Sequence, residues 1–361
     1  MSDLPLAPDW VEDILGPGYE RRTFDLGADP DGQPPIVATL VRHFPTDTAL
    51  NDAPSALHSA PATGLPEVEF ARRPAILYVP GTSDYFFHKH VAEFFHSQGF
   101  ALYSVDFRKC ARSHREGQLW FFTSDIVTYF KDLNVVSRFI IDQGHPEIVM
   151  MGHSFGALVL AHWLDHLRRL RDSEIFPKVT GTILNAPWIE LIYPLAMVSA
   201  IRKIAPTVAK YYPKLPLFKR KWRAYVASLH RDYQGEWDFN LEYKPLGGHD
   251  KYWGWVREVI KNIDRIQEGA VNCGVPVLVL CSLTSSSGRV FTDQTHTTDA
   301  VLDVDDIITY STLLGDNVTT IPIEDAKHDV FLSQDKPRKQ ALRTCIDWLR
   351  DVKDTRRSVN R

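Results

Sequence analysis

The sequence has little cysteine, little net charge and no long apolar run, and each absence excludes a class of protein. Only 4 of the 361 residues are cysteines, and no two of them form a CxxC pair. Such scattered cysteines predict reduced, mostly buried thiols and neither a disulfide framework nor a zinc site. The formal net charge of −4 gives no electrostatic reason to expect a nucleic-acid partner or an acidic membrane surface.

Targeting and ligand-binding signals are also scarce. No stretch reaches the roughly 18 apolar residues that span a membrane, and the start, MSDLPLAPDW, carries acids where a signal peptide needs basic and apolar residues. We therefore expect a cytoplasmic protein. There is no glycine-rich phosphate loop and no metal-ligand cluster, and the stretch Gly-Gly-His-Asp at 247–250 is more typical of a surface turn than of a metal site.

Apolar runs of strand length alternate with amphipathic segments along most of the chain. This alternation predicts an α/β fold, a mostly parallel eight-stranded sheet with helices on both faces. The predicted strands are residues 19–26, 34–44, 75–79, 101–105, 147–151, 179–185, 275–281 and 317–323.

The alternation stops between residues 187 and 269. This segment has no good strand pattern but is rich in Trp, Tyr, Lys and Pro, and it is too long for an ordinary connection. It predicts a helical cap inserted into a core domain of residues 1–186 and 270–361. The alternative is that these are simply additional packing helices.

Ser154 stands between two glycines in MMGHSFGA, residues 150–157. A bare G-x-S-x-G pattern is common by chance, but here an apolar strand precedes it and a helix-like segment follows it. In that setting the serine occupies a sharp turn that exposes its hydroxyl at the edge of the sheet. Ser154 is therefore the candidate nucleophile, and it requires a histidine base and an orienting carboxylate.

His328, in EDAKHDVFLS, follows the last predicted strand and is the candidate base. The acid is expected in the long loop after the strand at 275–281, which offers several aspartates. Asp303 precedes a predicted helix, so it has the alternative structural role of an N-cap. Asp299 has no such structural role. Asp299 is the favoured acid, and Asp303 and Asp293 remain alternatives.

The tetrahedral oxyanion needs backbone donors. We expect these to be the N–H of Phe155, directly after the nucleophile, and the N–H of Thr82 in the turn PGTSD. Tyr85 and Trp188 are predicted to overlook Ser154 and to line an apolar pocket for substrate. For Trp188 the alternative is that it only packs the cap against the core.

At these positions the chain resembles the α/β-hydrolase superfamily, in particular its monoacylglycerol lipase and lysophospholipase-like branch (serine aminopeptidase type). The corresponding stretches are PGTSDYFF, DFRKCARS, GHSFGA, DAVLD and AKHDVFLS, within about residues 75–352. The DAVLD match also favours Asp299. The chain departs from the branch at Pro80, where histidine is usual, at Lys109 and Ala111, where glycines are usual, and in its longer acid loop.

Together these features predict a serine hydrolase that cleaves a carboxylic ester through an acyl-enzyme on Ser154, with no cofactor and no metal. The expected partner is a small-molecule ester with an apolar acyl or aromatic group, and no nucleic acid. An amidase or peptidase, or an acyltransferase, would use the same triad. A non-catalytic binding protein is disfavoured because all three triad residues are present.

Overall fold

The computed structural model describes residues 9–45, 67–190, 195–217, 223–288 and 290–359. Nine strands in these residues form one sheet in the order β1-β2-β3-β5-β4-β6-β7-β8-β9. Their bounds are β1 Val11–Glu12, β2 Tyr19–Gly27, β3 Ile36–His43, β4 Ala75–Val79, β5 Ala101–Asp106, β6 Ile148–His153, β7 Val179–Asn185, β8 Val277–Ser282 and β9 Val318–Ile323. The predicted class is confirmed, but the number of strands was wrong by one. β1 has two exposed residues, too few to leave a hydrophobic pattern.

The α-helices of the described residues lie mostly between these strands. They are α1 Glu67–Ala71, α2 Lys89–Ser97, α3 Thr128–Asp142, α4 Phe155–Arg169, α5 Leu195–Tyr211, α6 Ala224–Ala227, α7 Trp253–Gln267, α8 Val304–Ser311 and α9 Asp335–Val359. None of them is long and apolar enough to cross a membrane.

The direction of the strands determines where the loops of interest meet. Neighbouring strands are antiparallel from β1 through β2 and β3 to β5. They are parallel from β5 through β4, β6, β7 and β8 to β9. The carboxyl ends of parallel strands lie at one edge of a sheet, which is where open α/β sheets place their ligands. The loops after β4, β6, β8 and β9 therefore converge at the same edge.

The central strands are apolar on both faces because both faces are covered. Along β4, Leu77 and Val79 belong to one buried cluster, and Ile76 and Tyr78 belong to the other. All five residues of β4 are buried. This explains why the run reads as continuously apolar and does not alternate.

The long segment between β7 and β8 contains α5, α6 and α7, and in its described residues only isolated bridges interrupt the helices and loops. α5 packs against α7, and Trp255 and Val259 of α7 belong to the core cluster on one face of the sheet. The loop between α6 and α7 returns to the edge of the sheet where β6 ends.

Candidate active site

Ser154 occupies a strained turn between β6 and α4. Its φ of 51° and ψ of −116° lie outside the regions that non-glycine residues prefer. The backbone of Ser154 is bonded to the end of β7 and to the segment that follows β7. The Ser154 N–H donates to the carbonyl of Asn185 at 3.0 Å, and the N–H of Trp188 donates to the carbonyl of Ser154 at 3.2 Å. Such strain persists only where neighbouring structure imposes it.

Two glycines allow the chain to come this close to the serine. A Cβ added to Gly156 would lie 2.4 Å from the carbonyl oxygens of Val79 and Pro80, so only glycine lets α4 pack against the end of β4. A Cβ on Gly81 would lie 3.2 Å from the Cβ of Ser154. The loop after β4 therefore lies directly against the serine.

His328 and Asp299 are hydrogen-bonded to each other at this edge. The Nδ1–H of His328 donates to Oδ2 of Asp299 at 2.8 Å, and both side chains are buried. The other carboxylate oxygen of Asp299 accepts the N–H groups of Val301 at 2.8 Å and Leu302 at 2.7 Å. The carboxylate is therefore held in one orientation, with one oxygen directed at the imidazole.

The two aspartates that the sequence left as alternatives for the acid, Asp303 and Asp293, lie at the starts of other elements. Asp303 is the N-cap of α8, and its side chain accepts the N–H of Asp305 at 3.0 Å. Asp293 begins a short 3₁₀ turn at Asp293–His296. Among the described residues, neither forms a hydrogen bond or an ion pair with His328.

The backbone donors predicted for an oxyanion lie on either side of Ser154. Phe155 is the first residue of α4, where N–H groups have no partner within the helix. Among the described residues, no acceptor receives the N–H of Thr82, and Thr82 lines the same cavity as Ser154.

A buried polar network lies beside the pair of His328 and Asp299, and the sequence did not predict it. Asp329 accepts hydrogen bonds from Nε2 of His88 at 2.8 Å and from the side-chain amide of Asn185 at 2.7 Å. Its own N–H donates to the hydroxyl of Tyr225 at 3.1 Å. Burial alone would raise the pKa of Asp329, but its interactions with His153 and His88 hold that pKa well below its usual range. The network fixes the backbone next to His328.

His153 precedes the serine and is a second histidine near it. Its ring centre lies 4.8 Å from that of His328, and its Nδ1–H donates to the carbonyl of Asn185 at 3.1 Å. Burial lowers the pKa of His153 to about 4, so the ring is neutral at pH 7.

Asp84, His153 and Asp329 are the one group of potential metal ligands among the described residues. Their ligand atoms lie within 4.8 Å of one another, but they already have partners. The ammonium of Lys244 lies 2.7 Å from Asp84 and supplies a cation there. Lys244 therefore supplies positive charge to this group, and Oδ2 of Asp84 has no hydrogen-bond partner among the described residues.

A cavity of about 450 Å³ opens over Ser154 and His328. Part of its wall comes from the loop after β4, and much of the rest comes from the segment between β7 and β8. From that segment the cavity is lined by Leu217, Arg223, Tyr225, Val226 and the run from Lys244 to Lys251. The stretch at 247–250 begins in a turn, in which the N–H of Gly248 donates to the carbonyl of Pro245 at 2.9 Å. It forms cavity wall, however, which a local pattern of glycines could not reveal.

Tyr85 and Trp188, predicted to overlook the nucleophile, lie behind this wall. The Tyr85 ring is buried against Phe87 and Tyr243, and its hydroxyl accepts the N–H of Asn240 at 2.7 Å. The Trp188 ring packs against Phe155 and Trp255, with centroids 6.4 and 5.8 Å away. Neither side chain is among the residues that line the cavity, so their role in binding substrate stays a prediction.

In the loop after β5, two residues that replace the glycines usual in the branch still have the positive φ values that favour glycine. Lys109 and Ala111 have φ values of 60° and 36°. The side chain of Lys109 is fully buried, and its ammonium lies 2.8 Å from Asp29 and 2.9 Å from the carbonyl oxygen of Phe122. This ion pair links the loop after β5 to the loop between β2 and β3 and stabilises a conformation that lysine disfavours.

The structure combines a mostly parallel sheet with helices on both faces, a serine at a strained strand-to-helix turn, and a paired histidine and aspartate at the same edge. These features define an α/β hydrolase. A family model described as "Serine aminopeptidase, S33" (Hydrolase_4) matches residues 71–286. The match covers more than half of the chain, so the chain belongs to this family of hydrolytic enzymes. The resemblance inferred from the motifs is thereby confirmed.

Solved structures agree on the fold. A monoacylglycerol lipase from Paleococcus ferrophilus aligns with a TM-score of 0.56 at 16% identity, over 78% of this chain and 96% of that chain. A soluble variant of monoglyceride lipase from Saccharomyces cerevisiae aligns with a TM-score of 0.54 at 13% identity, over 97% and 96% of the two chains. No curated protein sequence matches the chain.

Proposed function

We propose that this protein is a serine hydrolase that cleaves a small-molecule carboxylic ester through an acyl-enzyme on Ser154. The observation that carries the proposal is the pairing of His328 with Asp299 at 2.8 Å beside a serine held at a positive φ. The lipase names of the structural neighbours favour an ester as the substrate, and the cavity is of the size that small ligands occupy.

In this mechanism Ser154 attacks the ester carbonyl while Nε2 of His328 takes its proton. Asp299 keeps the proton of the imidazole on Nδ1 and stabilises the imidazolium that forms. The N–H groups of Thr82 and Phe155 stabilise the oxyanion. His328 then protonates the leaving alcohol and activates the water that releases the acid. No cofactor enters these steps.

The segment at 187–269 acts as a cap in this proposal. Its support is the contribution of residues 244–251 and of α6 to the wall over Ser154. The cap would decide which esters reach the serine. We keep the expectation of a cytoplasmic location as a prediction.

The family description favours a second candidate, an aminopeptidase. Such an enzyme must bind the α-ammonium of its substrate, and carboxylates suit that task. Two carboxylates line the cavity wall: Asp84 is already paired with Lys244, and Asp250 is not free either. Arg223 and Lys251 add further positive charge. These cations oppose an ammonium ligand, and they favour the esterase over the peptidase.

The test compares p-nitrophenyl esters with aminoacyl p-nitroanilides and measures labelling by a fluorophosphonate probe. Ser154→Ala should abolish ester hydrolysis and labelling with unchanged circular dichroism. His328→Ala should lose about as much activity, because triad members act as a unit. His166→Ala, on the exposed face of α4, is the matched control. Labelling that persists in Ser154→Ala would overturn the proposal, and added alcohol as an acceptor would reveal acyl transfer.

A further inference from the structure

Ser83, one residue after Thr82, has a hydroxyl proton with no acceptor among the described residues. Its Oγ accepts two hydrogen bonds, from the N–H of His249 at 2.8 Å and from the ammonium of Lys251 at 2.9 Å. A hydroxyl has two acceptor lone pairs and one donor. Both lone pairs are therefore in use, and the proton is directed elsewhere. Ser83 is buried and lines the cavity over Ser154.

Lys251 also has unused donors in the same cavity. Its ammonium makes one hydrogen bond, to Ser83, and no carboxylate of the described part of the chain lies within 4.0 Å of it. It lies 5.2 Å from the ring centre of Phe121 and 5.4 Å from that of Trp255. Burial lowers the pKa of Lys251 to about 8, so the group is still mostly charged at pH 7 but poorly solvated. A poorly solvated cation with spare donors favours an anion.

The backbone holds these donors in place. Ser83 has a φ of 55°, which a serine adopts only where its surroundings impose it. The bond from the N–H of His249 fixes its hydroxyl. Gly81 lies against Ser154, Ser83 is only two residues further along the chain, and both serines line the same cavity. A group bound here would be part of the molecule whose ester bond is cleaved.

We propose that Ser83 and Lys251 form a subsite for a carboxylate, so that the substrate is an ester bearing a carboxylate on its acyl or its alcohol part. This inference rests on the proposed function for the ester bond. One ammonium and one hydroxyl match a singly charged group with two acceptor oxygens. Arg223, exposed at the cavity wall, adds positive charge, and Asp250, which also lines the wall, adds negative charge. The unused donors of Ser83 and Lys251, and not the net charge of the cavity, therefore favour a carboxylate.

The experiment uses matched pairs of esters at pH 7. For the acyl side, mono-p-nitrophenyl glutarate is compared with p-nitrophenyl valerate. For the alcohol side, 4-acetoxybenzoate is compared with its methyl ester. In the wild type, kcat/KM should favour the anionic ester in at least one pair, and that pair identifies which part carries the carboxylate.

Lys251→Met should lower this anionic-to-neutral ratio by about 10- to 100-fold, the range expected for a lost hydrogen bond to a charged group. Ser83→Ala should lower it by a smaller factor, and Lys251→Arg should keep most of it. Lys203→Met, an exposed lysine of α5, is the control and should leave both rates unchanged. An unchanged ratio in Lys251→Met and Ser83→Ala would overturn the inference, because a purely structural lysine would alter stability and not discrimination.

A binding measurement separates the two proposals. Calorimetric titration of Ser154→Ala with monoethyl glutarate should detect binding that weakens at least about tenfold when Lys251→Met is added. If no ester is hydrolysed but this binding is present, the proposed function fails and the carboxylate subsite stands. If neutral esters are hydrolysed by Ser154 with no anionic preference and no such binding, the subsite fails and the proposed function stands.

Discussion

The hydrogen bond between Asp299 and His328 predicts that the substitution Asp299→Asn lowers the turnover of the enzyme. In the structure, Oδ1 of Asp299 accepts the N–H groups of Val301 and Leu302, and Oδ2 faces Nδ1 of His328 at 2.8 Å. An asparagine would keep its oxygen on the two N–H groups, so its NH₂ would face the imidazole. His328 would then carry its proton on Nε2, where a base for Ser154 needs a lone pair.

The expected loss is large because this tautomer cannot take the serine proton. A carboxylate-to-amide change of this kind costs up to about four orders of magnitude in turnover, or about 5.5 kcal/mol of activation free energy. We expect at least about a hundredfold loss in kcat for p-nitrophenyl butyrate. The melting temperature should change little, because the asparagine keeps both backbone hydrogen bonds.

Asp303→Asn is the matched control, since it is the same substitution in the same loop. Asp303 caps α8 through its bond with the N–H of Asp305, and asparagine caps a helix about as well as aspartate. Both kcat and melting temperature should therefore stay near the wild-type values. Asp299 is not the acid if Asp299→Asn keeps more than about a tenth of wild-type kcat, or if Asp303→Asn is the inactive variant.

Three further predictions concern stability, each measured by urea unfolding. Gly156→Ala should destabilise the fold strongly, since its Cβ would lie 2.4 Å from backbone oxygens; wild-type stability would contradict the close approach. Lys109→Met should cost about 3–5 kcal/mol because it leaves Asp29 buried without its cation, and a neutral effect would contradict that. Burial lowers the pKa of His162 from 6.5 to about 4, so as pH falls the unfolded chain binds the proton first, and the free energy of unfolding decreases from about pH 6.5 toward pH 4. His162→Gln should reduce the decrease in this free energy between pH 7 and pH 5 by about 1–2 kcal/mol. An identical decrease in the variant and the wild type would refute the prediction.

Local pattern in the sequence was enough to predict most of the fold. Strands such as Ala75–Val79 and Val179–Asn185 have the predicted bounds, because a strand covered on both faces must be apolar at every position and its ends are marked by polar or turn residues. The short β1 was missed for the converse reason, since it buries no side chain.

The candidates Ser154, His328 and Asp299 also followed from order along the chain. Each comes after a strand of the parallel sheet, and parallel strands all end at one edge, so residues far apart in sequence must meet there. What the pattern left open was the choice among several aspartates in one loop. The side chain of Asp299 points toward His328, whereas that of Asp303 points toward the start of α8. The spacing of residues along the chain does not encode these directions.

The composition of the cavity wall was decided by tertiary structure alone. Tyr85 and Trp188 are near Ser154 in sequence or topology, yet they pack behind the wall. Ser83, His249 and Lys251 meet beside it although 166 and 168 residues separate the serine from the other two. Sequence periodicity determines which residues are buried in a regular strand or helix. It carries no information on irregular loops, whose positions depend on hydrogen bonds made across the folded molecule, and those loops line the space above Ser154.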